Sequence, residues 1–226
     1  MYRWINHDEW PTIKTKNVNG KRHYMCDGEN LCFPSVTTVL HKVITQAAIH
    51  KWRQRVGEKE ANVISKRATN RGTKVHTLVE HELSNEKVDL SKVMPHVKQN
   101  FSALQKALRK NISTMYGLEI PIFSKYLRIG GRIDILCDWN GVRTIADIKT
   151  SAKVKKKEWI KKYFLQTAAY SVAYEEMTGN PAPKIVIVMC VDGSNEPVIF
   201  EEKRDNFIDE FLEIRKTYDK MVDNGL

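Results

Sequence analysis

Gly130-Gly131-Arg132-Ile133-Asp134, followed thirteen residues after its aspartate by Asp147-Ile148-Lys149-Thr150-Ser151, is the stretch on which the reading of this chain turns. Asn140-Gly141 between the two acids is a hairpin signal of the primed-turn kind. In a strand, residues i and i+2 share a face, so Asp147 and Lys149 point the same way, and the hairpin brings Asp134 beside them. An isolated D-x-K triplet is common on strand surfaces and carries little by itself. Here Ile145, Ala146 and Ile148 mark a largely buried strand, in which an acid and a lysine need a compensating role.

Hard divalent cations take oxygen ligands, so two converging carboxylates completed by water and phosphate oxygens suit Mg²⁺ or Mn²⁺. Such a cation polarises a phosphodiester and positions hydroxide, while an adjacent ammonium stabilises charge on the phosphoryl oxygens or orients the attacking water. Lys149 suits that second role.

Outward from this pair the pattern is regular. Strand signals cover 116–123, 126–138 and 142–148, a three-stranded meander. A helix over 158–177 follows, then a buried strand at 184–191, a short strand near 197–202 and an amphipathic helix over 205–222. Upstream, Val97, Phe101, Leu104, Leu108 and Ile112 recur at spacings of three and four, an amphipathic helix over 97–112. Residues 46–83 read as two or three helices, with Gly57 and Arg71-Gly72 as expected interruptions. Asn19-Gly20 predicts a hairpin within 12–33, and Ser35 is placed to cap a helix beginning at Val36. The expected organisation is one domain over 1–226. It has a hairpin extension at 1–33, a helical region at 34–112, a sheet-and-helix unit at 113–203 and a final helix at 204–226.

The 226 residues include 37 Lys and Arg against 27 Asp and Glu, a formal charge of +10, which favours a polyanionic partner. A basic balance alone also fits a membrane-surface protein or a charged coat. Eight cations (Lys51, Arg53, Arg55, Lys59, Lys66, Arg67, Arg71 and Lys74) face only Glu58 and Glu60 over 51–74, and a second basic stretch runs from Lys153 to Lys162. A solvated face is the ordinary reading of such runs. Interleaved Trp52 and the hydroxyls of Ser35, Thr37 and Thr38 at a helix start also make a strand-binding channel, although Ser35 serves equally as a cap alone. Cys26, Cys32, Cys137 and Cys190 show no metal-ligand or disulfide spacing, so reduced thiols in the cytoplasm are expected. No apolar run is long enough to span a bilayer, and neither a signal core nor an Arg-rich transit segment is evident.

Taken together, these residues resemble the PD-(D/E)XK nuclease superfamily, whose α/β core runs helix, three-stranded meander, helix, strand. This chain adds a helical N-terminal elaboration and a C-terminal helix. Ile133 stands where the superfamily signature has proline. Arg71-Gly72-Thr73-Lys74-Val75-His76, Glu119 and Gln166-Thr167-Ala168-Ala169-Tyr170 resemble the RecB-like branch. Pro34-Ser35-Val36-Thr37-Thr38-Val39-Leu40 with the Gly130–Asp134 stretch is similar to mitochondrial genome maintenance exonucleases and related phage exonucleases. The resemblance implies a metal-dependent exonuclease on single-stranded DNA ends, with Asp134, Asp147 and the Ile148 carbonyl holding Mg²⁺ or Mn²⁺. It makes His76 an additional ligand, although a lone helical histidine is more often a surface or satisfied core residue. Lys149 becomes the catalytic lysine, and Glu119 points either to the site or to solvent. Gln166 and Tyr170, one helical turn apart, are expected to brace the catalytic strand or the DNA. Trp52, Arg53, Arg71 and Lys74 with Ser35, Thr37 and Thr38 are expected along the strand path. An iron-sulfur cluster is not expected, because the last 36 residues hold no cysteine. A structure-specific endonuclease on the same core, or a silent nucleic-acid-binding module, is the alternative.

Overall fold

The computed structural model describes residues 1–5, 10–26 and 31–225. Its framework is a six-stranded sheet, β1 (Arg3–Trp4), β5 (Ile112–Ser124), β6 (Ile129–Trp139), β7 (Val142–Ser151), β8 (Lys184–Val191) and β9 (Val198–Lys203), in the order β1-β5-β6-β7-β8-β9. β5, β6 and β7 form the expected antiparallel meander, β8 joins β7 in parallel, and β9 returns antiparallel along β8. Asn140 and Gly141, with φ of 51° and 79°, make the turn between β6 and β7. The two-residue β1 pairs in parallel with β5. It was not legible as a strand, because two residues carry no period.

Helices cover both faces. α3 (Glu58–Leu83) and α4 (Pro95–Asn111) pack on one face; α1 (Val36–Leu40), α5 (Lys161–Thr178) and α6 (Asp205–Asp223) pack on the other. β8 shows why its sequence is an unbroken apolar run. Ile185, Ile187 and Met189 belong to the α5–α6 core, while Val186, Val188 and Cys190 belong to the α3–α4 core. A strand wetted on neither face has no polar alternation.

The smaller sheet β2 (Ile13–Val18), β3 (Lys21–Cys26) and β4 (Cys32–Pro34) contains the expected hairpin, with Asn19 and Gly20 at φ of 51° and 75°. Part of the expected 12–33 segment, residues 27–30, lies outside the described residues, as do 6–9. Ser35 caps α1, its Oγ accepting the Thr38 amide at 3.0 Å. A π-helical turn, His41–Thr45, then leads into α2 (Gln46–Val56).

Gly57, at φ +84°, separates α2 from α3 as expected. Arg71-Gly72 does not interrupt anything: α3 runs unbroken through both. A glycine costs about 1 kcal/mol in a helix interior. Burial of Val75, Leu78, Val79 and Leu83 in the turns that follow is worth more. Among the described residues, no helix is long and apolar enough to cross a membrane.

Candidate active site

The β6–β7 ladder begins at Trp139↔Val142 and ends at Ile135↔Ala146. Past that point the strands part, and the Ile148 amide, which would otherwise lack a partner, donates to Asp134 Oδ2 at 3.1 Å. A carboxylate therefore stands where a backbone carbonyl would continue the sheet. Ile133 belongs to the α5–α6 core and Ile135, two residues on, to the α3–α4 core, so the regular alternation of β6 breaks at Asp134, whose Oδ2 faces His76 of α3. In β7 alternation is regular, with Ile145 in the α5–α6 core and Ala146 and Ile148 in the α3–α4 core, and it turns Asp147 and Lys149 toward α5. The three groups meet from two faces through the fork between the strands, rather than on one face.

From the α3 side, His76 Nε2 donates to the Ile148 carbonyl oxygen at 2.9 Å, and its Nδ1 faces Asp134 Oδ2 at 3.6 Å. Glu119 completes a cluster: His76, Glu119 and Asp134 each offer one ligand atom, all within 4.8 Å of one another. Glu119 reaches inward from a left-handed backbone position, φ +49°, inside β5. Such a conformation is strained for a residue with a Cβ and is often retained where a side chain must be aimed. Arg132 Nη1 approaches Glu119 at 3.5 Å.

From the α5 side, the Lys149 ammonium pairs with Asp147 Oδ2, and Gln166 Nε2 donates to Asp147 Oδ1 at 3.4 Å and to the Tyr170 hydroxyl at 3.3 Å. Asp147, 2 % exposed, is thus held by an ammonium at Oδ2 and an amide at Oδ1. Burial pushes the Asp147 carboxyl up to about 6 against the pull of Lys149, and Asp134 adds to the rise. Burial alone lowers the Lys149 ammonium, but Asp147 and Asp134 outweigh it and hold it above the usual lysine range. Burial, then the Glu80 carboxylate, raises Glu119. Glu80 was missed in the sequence, although its position four residues after His76 puts both on one helix face.

The two glycines of the opening stretch are contact requirements. A Cβ on Gly131 would lie 2.4 Å from Tyr170 Cε1, and one on Gly130 would lie 2.3 Å from Tyr24 Cβ. Both rings need bare backbone, and that closeness seats Tyr170 beside Gln166.

The donors suit a hard divalent cation. Two carboxylates and an imidazole converge within 4.8 Å, the Ile148 carbonyl lies against that imidazole, and the buried Asp147 carboxylate stands on the other side of the fork.

The residues expected along a strand path fare differently. Arg71 pairs with Asp192 beyond the end of β8, where Asn100 also donates to Asp192, so its guanidinium ties α3 and α4 to the sheet. Arg53 bonds Glu58 and Asn62 and braces the α2–α3 junction. The Ser35 hydroxyl is taken up by Thr37, Thr38 and the cap. Thr37 and Thr38 line a groove with the Asn19–Arg22 turn, while Lys74 is exposed and Trp52 half-buried. Trp159, inside the expected 158–177 helix, sits instead on a short 3₁₀ turn before α5 and is 65 % exposed. The four cysteines are free thiols; Cys137 and Cys190 are buried in the α3–α4 core.

The family model of the PD-(D/E)XK nuclease superfamily matches residues 37–223. A crystal structure of SSO0001 is similar at a TM-score of 0.45 and 14 % identity, over 77 % of this chain and 70 % of that one. No curated protein matches. The superfamily match implies divalent-metal-dependent cleavage of nucleic acid.

Proposed function

The chain belongs to the PD-(D/E)XK nuclease superfamily, and on that premise we propose that it is a deoxyribonuclease degrading single-stranded DNA from its ends. The observation that carries the reading is the fork between β6 and β7, where Asp134, Asp147, Lys149 and His76 meet around the Ile148 peptide. The finer placement, in the RecB-like branch near mitochondrial genome maintenance and phage exonucleases, is supported by His76 on α3 and by Gln166 and Tyr170 on α5. A cytoplasmic place in DNA recombination or replication fits that branch.

Asp134, Asp147, His76 and the Ile148 carbonyl would hold Mg²⁺ or Mn²⁺, with Glu119 beside them. When bound, the cation supplies Lewis-acid activation of the scissile phosphate and of a water. The chain's own residues do the rest. Lys149, steered by Asp147, presents a fixed ammonium to the charge that develops on the phosphoryl oxygens. Gln166 holds Asp147 in place by its side-chain amide, and Tyr170 holds Gln166, so neither acid nor lysine has to reorganise as charge moves.

A structure-specific endonuclease on the same core is the second reading, since the cleavage groups do not encode strand topology. Wild type, Asp147→Asn and Lys149→Ala should be incubated with end-labelled linear and closed circular single-stranded DNA, with Mg²⁺, with Mn²⁺ or with chelator. Degradation of the linear strand alone, with metal alone and by wild type alone, supports the proposal. Cut circles favour the endonuclease, and binding without cleavage favours a silent binding module.

A further inference from the structure

Between β7 and α5 the chain runs out of the site through Lys153, Val154, Lys155 and Lys156 into the 3₁₀ turn Lys157–Ile160. The Ser151 hydroxyl donates to the Lys153 carbonyl at 2.7 Å and ties the start of this segment to the end of the catalytic strand. Two of its features have no structural use. Trp159 is 65 % exposed, and the contact its ring makes is with the Lys156 ammonium, 5.8 Å from the ring centroid. Lys157 and Lys161 pair with Glu202 and Glu210, but among the described residues Lys153, Lys155, Lys156 and Lys162 make no ion pair, and neither does Glu158, the one acid of the stretch.

The unpaired cations are also crowded. Lys149, Lys162 and Lys155 place their ammonium groups 5.1, 5.2 and 5.8 Å from the centroid of one ring, that of Tyr163. Asp147 answers the first of these; the other two have no acid partner among the described residues. The catalytic lysine and the basic segment therefore meet around a shared ring.

Resting on the nuclease reading, we propose that the Lys153–Trp159 segment, with Lys162 and Tyr163, is the platform for the substrate strand beside the scissile bond. Lys155, Lys156 and Lys162 take its phosphates, and Trp159 stacks on an unpaired base. Single-stranded nucleic acid is the occupant favoured over other polyanions because it offers both chemistries at once: phosphates for the lysines and a π face for the indole. An exposed tryptophan adds little to binding a phosphate chain that has no bases.

The test uses the full chain in the Asp147→Asn background, which separates binding from cleavage. Anisotropy of labelled oligothymidine and of an abasic strand of equal length is followed with added Trp159→Ala or Lys155→Ala/Lys156→Ala, after melting curves show that each variant is folded. Loss of the indole should weaken oligothymidine binding about ten-fold and leave the abasic strand unchanged. Loss of the two lysines should weaken both probes and reduce the salt dependence by about one to two counterions. Oligothymidine affinity within two-fold of the parent in Trp159→Ala, an equal loss on both probes, or an unchanged salt slope in the lysine variant overturns the platform. Inactivity of the wild type alongside these binding changes would remove the nuclease reading and leave the platform standing.

Discussion

The Ile148 amide donates to the Asp134 carboxylate at 3.1 Å, directly beyond the last ladder pair of β6 and β7. One carboxyl oxygen thus ends the β6–β7 ladder and faces His76 Nδ1 at 3.6 Å, which ties local stability to the site.

Asp134→Asn keeps an acceptor for the Ile148 amide, whereas Asp134→Ala leaves that amide unmatched. The alanine variant should lose about 1–2 kcal/mol of stability and the asparagine variant less. Both should lose metal-dependent cleavage by about 100-fold or more. Urea denaturation in chelator and single-turnover cleavage separate the two effects; equal stability of the two variants would mean that the amide bond contributes nothing.

The raised Asp147 carboxyl sets a sign for pH. Its folded value of about 6 lies above the ordinary 3.8, so its contribution to stability is fully present below pH 3.8 and is lost as pH rises through 6. In chelator, the stability difference between wild type and Asp147→Asn should shift by about 2–3 kcal/mol against wild type between pH 4 and pH 7.5. This holds whatever the substitution costs in absolute terms. Denaturation at the two pH values measures it, and a constant difference contradicts a raised carboxyl.

Gly131→Ala forces a methyl into the Tyr170 ring. Destabilisation of about 1–3 kcal/mol is expected, with a loss of cleavage as Gln166 loses its support. Adding Tyr170→Leu should return part of the stability but not the cleavage, which a double-mutant cycle followed by calorimetry and activity would read.

The unbroken α3 predicts opposite outcomes for two glycines. At Gly72 a Cβ would meet Thr150 Oγ1 at 3.8 Å, an ordinary contact, so Gly72→Ala should stabilise by about 0.5–1 kcal/mol. At Gly57, with φ +84°, Gly57→Ala should destabilise by a similar amount or more. Melting temperatures of the two variants should move in opposite directions.

Much of this architecture was legible because its signals are local. Period-two and period-3.6 patterns, Asn-Gly turns and the Ser35 cap are set by backbone sterics and by hydrogen bonds a few residues apart. They placed β5 to β9 and α4 to α6 in their chain order, while α3 read as broken at Arg71-Gly72 and the order of the strands across the sheet was not legible at all. The family match over residues 37–223 agrees with the fold these patterns imply.

What only the tertiary structure decided depends on groups far apart in the chain. Glu119 had no reason to face inward until β6 and α3 lay beside it, and its left-handed backbone defeats the alternation rule. Arg71 read as a strand contact until Asp192, 121 residues away, took its guanidinium. Trp159 fell inside the expected 158–177 helix, but it sits on the 3₁₀ turn before α5 and faces solvent. The sequence by itself determined the elements, the turns and the chemical identity of the two aspartates and the lysine. The fold alone determined that the ladder opens at Ile135↔Ala146, because where paired strands part depends on the helices packed against both faces.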